Sequence, residues 1–326
     1  MRKIVLALLL LPTLLLARQK VKVIHPDTEV PYEPWLTGSL LAPTAVNMEL
    51  GHPNFYAFVG GFGIYGRYDS SWKFQKEPTI WAINPVVDFQ FATSKRTGIE
   101  VVGSYIINYR DGERTSHFQD TLLLFGYQVS DDQMDSWIPD CRLTFRTLFP
   151  TGRFDQLDPV IEGIDATGQG AYFYGPALSC QKLFYLPESF FMLHWSFGYF
   201  YPSKAKIKNH NVYGGGFGTR GTIRPGQIFI GFLSGEYSWS QRWVFAFDIQ
   251  VLHQTKTTDF NGTPGITPSG EVGTVGLSAS TEIALAPAIE YNLSANSGFL
   301  FGAWFTIAGQ NTEAFAAAAL AYSYIF

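Results

Sequence analysis

The sequence has little charge and no long apolar run beyond its first residues. Asp, Glu, Lys and Arg make up 15% of its 326 residues, against about 25% in soluble globular proteins. After residue 16 no apolar stretch reaches the length of about 20 residues that a membrane helix needs, and the mean hydropathy of +0.04 is near neutral. A soluble domain of ordinary composition and a helical membrane protein are therefore both poor descriptions of this chain.

Signatures of several chemistries are missing as well. There is no dense cluster of Lys and Arg, so a nucleic-acid partner is not expected. The histidines lack the paired spacing of a metal site, and the glycine-rich residues 214–218 lack the Lys-Ser/Thr of a phosphate-binding loop. The sequence therefore predicts no metal and no cofactor.

Aromatic residues and glycines are abundant, at 16% and 32 residues. In the final stretch Leu320, Tyr322, Tyr324 and Phe326 recur with the period of two that places them on one face of a β-strand. A soluble protein seldom ends on such an edge, because an unpaired apolar strand invites aggregation. In a bilayer that face meets lipid, and pairing with the first strand removes the edge. The alternative is the last strand of a soluble sandwich.

Similar segments, separated by turn signals, fill the rest of the chain, and most are about 10–14 residues long, where membrane strands need about 9–11. They cover residues 54–66, 79–91, 98–110, 118–129, 141–149, 171–185, 191–201, 227–239, 243–254, 275–293, 298–308 and 316–326. Short and long connections largely alternate, as periplasmic turns and extracellular loops do in outer-membrane barrels. The sequence predicts an all-β fold over residues 53–326: a transmembrane antiparallel β-barrel of about twelve strands, with ten to fourteen allowed.

The start of the chain indicates export. Arg2 and Lys3 precede an apolar run that ends at the small residue Ala17, which is typical of a secretory signal peptide over residues 1–17. An uncleaved anchor helix is the alternative. Residues 18–52 are polar and carry several prolines, which disfavour a long helix or a central strand. We expect this lead-in to lie in the periplasm or to fold into the barrel mouth as a small plug.

Several segments sort their charges onto the face opposite the aromatic residues. On a lipid-facing surface near mid-membrane an Arg or Lys costs about 2–4 kcal/mol, so the charged face is expected to line the lumen. The predicted pore-lining residues are Asp88, Glu100, Arg142, Arg146, Asp248, Glu282 and Glu290. Opposed acids and bases either set ion preference and hold a solute, or pair with each other and close the barrel.

Two cysteines, Cys141 and Cys180, fall on neighbouring predicted strands near the periplasmic end. An exported protein passes through an oxidising compartment. The two residues therefore either form a cross-strand disulfide or remain unpaired in the barrel wall, because two cysteines carry no diagnostic spacing.

Five stretches together resemble one known family. They are residues 35–43 (Trp-Leu-Thr-Gly-Ser-Leu-Leu-Ala-Pro), 142–146 (Arg-Leu-Thr-Phe-Arg), 149–152 (Phe-Pro-Thr-Gly), 166–170 (Ala-Thr-Gly-Gln-Gly) and 175–178 (Gly-Pro-Ala-Leu). The chain resembles the phenol-degradation meta-pathway family of outer-membrane proteins, often described as transporters. The resemblance implies a transporter-like β-barrel in the bacterial outer membrane, and it supplies no catalytic residues.

The predicted function is passive passage of small molecules, hydrophobic or aromatic ones included, through a channel that is not an enzyme. Its expected partners are outer-membrane lipid, a small-molecule solute and the barrel-assembly machinery, which would bind the C-terminal strand. One alternative is a lipid hydrolase, because His194 and Ser196 share a strand face as in outer-membrane lipid hydrolases, although no Asn-Gly follows Ser196. The other alternative is a closed structural or adhesive barrel.

Overall fold

A computed structural model describes residues 35–133, 136–161 and 163–326. The signal peptide prediction and the first half of the lead-in lie outside these residues. In the described part of the chain, no helix is long and apolar enough to cross a membrane. The strands there are β1 Asn54–Tyr68, β2 Phe74–Ala92, β3 Thr97–Arg110, β4 Glu113–Phe118, β5 Thr121–Ser130, β6 Asp140–Phe149, β7 Phe173–Tyr185, β8 Phe190–Pro202, β9 Ala205–Lys208, β10 Arg220–Arg224, β11 Ile228–Ser238, β12 Trp243–Gln254, β13 Thr258–Thr263, β14 Ser280–Ser294, β15 Ser297–Gln310 and β16 Thr312–Ile325.

The main sheet closes on itself. Its antiparallel strand order is β1, β2, β3, then β4 and β5 sharing one position, then β6, β7, β8, β11, β12, β14, β15 and β16. β1 pairs with β16 from Asn54↔Ile325 to Tyr68↔Thr312, which closes the barrel. β4 and β5 pair with successive halves of β3 and are therefore two parts of one barrel strand, interrupted at residues 119–120. The wall thus has twelve strand positions, which confirms the predicted closed twelve-stranded barrel.

The wall follows the predicted alternation, and β6 shows the rule. Leu143 and Phe145 are 46% and 53% exposed on the outer surface, whereas Arg142, Thr144 and Arg146 are buried in the interior. Strand residues alternate between the two faces of a sheet, and in a membrane barrel the outer face meets lipid. The large exposed apolar side chains on this surface are accordingly the lipid-facing residues.

β1 departs from this rule. Its aromatic residues Tyr56, Phe58 and Phe62 stand opposite Ser323, Ala321 and Ala317 of β16, which face the interior. Tyr56 and Phe58 pack inside the barrel against an apolar cluster around Leu40. The outward positions of β1 are apolar or small as well, with Phe55 and Val59 opposite the outward Tyr324 and Leu320. Periodicity alone therefore could not decide which face meets lipid.

The connections also differ from the predicted ones in detail. The predicted segments at 54–66 and 79–91 leave residues 67–78 as a connection, but this connection is a short turn at 69–73 because β1 and β2 extend into it. The long connections near residues 202–225 and 256–273 contain β9, β10 and β13, which form a separate three-stranded sheet. The connections β2–β3, β5–β6, β7–β8, β11–β12 and β14–β15 lie at the same end of the barrel as both ends of the barrel chain, called here the short-turn end, whereas the tight turns β3–β4 and β15–β16 lie at the opposite end with β1–β2. In outer-membrane barrels the short-turn end is periplasmic.

Cys141 and Cys180 form a disulfide between β6 and β7, where the two residues are directly opposite each other. They share the outer phase of their strands, near the short-turn end. Of the two alternatives left open by the sequence, the cross-strand disulfide is the one found.

Replacing both cysteines with serine is expected to lower the free energy of unfolding by about 2–4 kcal/mol. The reason is that the cross-link joins residues 39 apart in sequence and restricts the unfolded chain. Urea unfolding of the refolded barrel in detergent, followed by tryptophan fluorescence, measures the change. Dithiothreitol should lower the free energy of unfolding of the wild type by the same amount and leave that of the double variant unchanged. A wild-type barrel whose unfolding is insensitive to the reductant would contradict the prediction.

Candidate functional site

The segment that precedes β1 crosses the interior of the barrel. Thr37 donates its backbone N–H to Glu290 on β14 (2.9 Å), and Leu41 donates its own to Asp248 on β12 (3.2 Å). Asn47 then donates its backbone N–H to Gln128 on β5 (3.0 Å). β14 and β5 lie on opposite sides of the barrel in the strand order. Residues 35–48, called here the plug segment, therefore span the whole lumen in its short-turn half.

Small residues on the inner wall make room for this segment. The cluster that buries Leu40 contains Leu300 and five alanines, and the partly buried Tyr56, Phe58 and Trp304 pack against it. The alanines are Ala246, Ala286, Ala288, Ala319 and Ala321. A Cβ at Gly302 would lie 2.7 Å from the Leu40 side chain, closer than packed carbon atoms approach. The inward face of β12, β14, β15 and β16 is thus a docking surface shaped for the plug segment.

The opposite end of the barrel carries a folded cap. Residues 150–172, 203–227 and 255–279, called here the outer cap, pack around Phe173, Ile207, Tyr213 and Ile223, which are buried together. The first of these loops reaches across the mouth. Its Ile164 carbonyl accepts a hydrogen bond from Asn108 on β3 (2.6 Å), and its Gln169 side chain accepts one from Gln254 on β12 (3.0 Å). Since β3 and β12 are on opposite sides of the wall, this loop bridges the lumen.

A cavity of about 520 Å³ lies beside the plug segment. It extends from Asn296 and Ile325 at the short-turn end to the middle of the barrel. One part of its lining is charged and the mid-barrel part is apolar. The apolar lining consists of Leu122, Leu124, Met192, Phe200, Ile230 and Phe232. Ligand-binding cavities of about 300–1,000 Å³ commonly combine an apolar lining with a few placed polar groups.

Four of the predicted pore-lining residues lie on one side of the lumen. Arg142 forms an ion pair with Glu100 at 3.2 Å, and both side chains are buried. Asp88 lies beside Glu100 and accepts a hydrogen bond from Gln90 (2.8 Å). Arg146 donates from Nε to the Thr144 hydroxyl (3.0 Å), and its Nη2 has no hydrogen-bond partner among the described residues. A small patch of two acids and two bases thus forms on β2, β3 and β6.

The other three predicted residues lie elsewhere on the inner wall. Asp248 accepts hydrogen bonds from Leu41, Ala42 and the Ser234 hydroxyl, and Glu290 accepts one from Thr37, so both carboxylates hold the plug segment. Glu282 lies apart, near the long-loop end of β14, where Thr312 donates to it (3.4 Å).

An ion pair that the sequence reasoning missed faces these groups. His194 Nε2 on β8 lies 2.5 Å from a Glu236 carboxylate oxygen on β11, and both side chains are buried in the lumen. Glu236 has the inward phase between the outward Leu233 and Tyr237, so the rule that selected the other acids could have found it. Ser196 pairs its hydroxyl with Ser179 (3.1 Å) rather than with His194. The described contacts therefore do not join the predicted His–Ser pair.

A closed barrel with a lipid-facing exterior, a polar and apolar interior and a segment crossing its lumen defines a transmembrane β-barrel. No family model matches the sequence, and comparison with curated proteins finds no match. Among solved structures, an outer-membrane channel from Pseudomonas putida F1 is similar, with a TM-score of 0.64, 10% identity and coverage of 86% of this chain and 97% of that one. A similarity at this identity shows the fold, which is that of a bacterial outer-membrane β-barrel.

Two further solved barrels have lower scores. The NanC porin has a TM-score of 0.43 at 10% identity, with 82% of this chain and 98% of that one covered. A deletion mutant of the TodX monoaromatic hydrocarbon channel has a TM-score of 0.38 at 12% identity, with 86% and 91% covered.

Proposed function

We propose that the protein is an outer-membrane channel for passive passage of small molecules, including hydrophobic or aromatic ones. The observation that carries the proposal is the cavity of about 520 Å³ inside the closed barrel, with its charged and apolar linings. A purely structural barrel has no need of an internal cavity, because side chains can fill the interior of a small barrel.

The family resemblance supports the part of this proposal that concerns hydrophobic or aromatic solutes. Residues 35–43 form part of the plug segment, residues 142–146 carry the two inward arginines, and residues 166–170 belong to the loop that bridges the mouth. The resembling stretches therefore coincide with the parts that surround the lumen. A phenol-like solute would place its ring against side chains such as Phe200 and Phe232 and its polar group in the charged lining.

Single-channel conductance of the refolded protein in a planar bilayer tests the proposal. We expect small reproducible steps, because the plug segment and the outer cap narrow the path. Replacing Arg142 and Arg146 together with alanine is expected to shift the ion preference towards cations, since two positive charges leave the lining. A folded barrel that conducts nothing, with or without the plug segment, would contradict the channel and favour the closed structural barrel.

A further inference from the structure

Arg146 differs from Arg142 and His194 because no carboxylate among the described residues forms an ion pair with it. Arg142, four residues away on the same face of β6, is neutralised by Glu100. Arg146 is only 6% exposed, and among the described residues its guanidinium makes a single side-chain hydrogen bond, to Thr144. A buried cation without a counter-ion is costly. The Nη2 edge of this guanidinium therefore offers an unused site for an anion.

The surroundings of Arg146 determine what kind of anion fits. Its side chain lines the cavity beside the plug segment. The strand register places Leu124 directly opposite it on β5 and Gly175, which has no side chain, directly opposite it on β7. Beyond Gly175 comes Phe200 on β8, which pairs with Ile228 on β11. The cation therefore adjoins the apolar part of the lining, and nothing projects from β7 between the two.

The acids of the lumen already have donors. Glu100 is paired with Arg142, and Glu236 is paired with His194. Asp248 and Glu290 accept backbone N–H groups of the plug segment, and Asp88 accepts from Gln90. Arg142 and His194 are therefore paired with carboxylates, whereas among the described residues Arg146 is not. A carboxylate that enters the cavity can bind this free guanidinium edge without displacing an existing ion pair.

We propose that Arg146 binds the carboxylate of an amphiphilic solute, such as an arylalkanoate or a medium-chain fatty acid, whose apolar body lies against Phe200, Ile230 and Phe232. Arginine binds carboxylates in a planar, two-pronged geometry. The proposal names the substrate class of the proposed channel and rests on that function.

Isothermal titration calorimetry with three matched probes tests this assignment. The probes are 3-phenylpropionate, 3-phenylpropanol and 3-phenylpropylamine, which share a ring and a chain and differ in their head group. A hydrogen bond to a charged group contributes about 1.5–3 kcal/mol, so the wild type should bind the carboxylate roughly 10- to 100-fold more tightly than the alcohol. Arg146→Gln should lose that preference and keep its affinity for the alcohol. Arg146→Lys should retain part of it.

Binding of the alcohol serves as the folding control within each variant. Arg220→Gln removes the same formal charge from an exposed position in the outer cap, and it should behave as the wild type does. Equal affinities for the three probes, tightest binding of the amine, or a carboxylate preference that survives in Arg146→Gln would each overturn the proposal. Conductance recorded on the same preparations separates the two hypotheses. Conducting barrels without carboxylate preference refute the site alone, whereas silent barrels that bind the carboxylate refute the channel alone.

Discussion

Replacing Leu40 with aspartate is expected to raise the single-channel conductance severalfold. Leu40 is 6% exposed and is the buried apolar anchor of the plug segment on the alanine-lined wall. Loss of a buried leucine side chain costs about 2–5 kcal/mol, and placing a carboxylate among alanines adds a desolvation cost. Since each 1.4 kcal/mol is tenfold in an equilibrium constant, the docked state of the plug segment should lose its dominance. The lumen would then open over most of its width.

A leucine just after the plug segment provides a matched control. Leu50 is 61% exposed just outside the plug segment, and Leu50→Asp makes the same chemical change without removing a buried contact. It should leave the conductance at the wild-type value. Gly302→Leu tests the docking from the wall side, because its side chain would occupy the position of Leu40 while the plug segment itself is unchanged. Wild-type conductance in both Leu40→Asp and Gly302→Leu would show that the plug segment does not limit the channel.

Removing the positive charge of Arg142 is expected to destabilise the barrel by about 3–5 kcal/mol, because its loss leaves Glu100 buried without a partner and beside Asp88. Arg142→Met preserves much of the side-chain volume. A Cβ at Gly126 would collide with the Arg142 guanidinium, so that side chain occupies a groove fitted to it on β5. Urea unfolding of the refolded variant in detergent measures the change.

Two further variants test whether charge is the cause. The double variant Glu100→Gln/Arg142→Met removes both charges and should be more stable than Arg142→Met alone, since no uncompensated carboxylate remains. Arg67→Met breaks an exposed pair with Glu77 (3.9 Å), which should change the free energy of unfolding by less than about 1 kcal/mol. A double variant as unstable as the single one would assign the effect to lost packing instead.

The outer surface of this barrel could be predicted because lipid allows few exceptions. A charge on that surface is costly, so strands such as β6 and β12 separate Arg142 and Asp248 cleanly from Phe145 and Phe245. The interior is less constrained, since water, small residues and aromatic rings can all occupy it. The inward aromatic face of β1 is an example. Its position depends on contacts with the Leu40 cluster, and those contacts leave no trace in the local pattern.

The candidate site was predictable only as a set of inward positions. The phase of each strand placed Asp88, Glu100, Arg142 and Arg146 in the lumen, but it did not reveal that Arg142 is paired and Arg146 is not. That difference depends on the register between β3, β5 and β6, which a sequence alone does not fix. The alanines at 316–319 likewise indicate a strand. The pattern does not show that Ala319 and Ala321 form a docking surface for Leu40, which lies far away in the chain.

The route of the plug segment also dictates an order of assembly. The hydrogen bond from Thr37 to Glu290 joins residues 253 apart in sequence, and the remaining wall that receives Leu40 belongs to β12, β14, β15 and β16. Contacts between such distant parts of a chain form late, because the intervening chain must first be ordered. The plug segment therefore docks only after the last strands are in place, and the lumen is narrowed only once the barrel has closed.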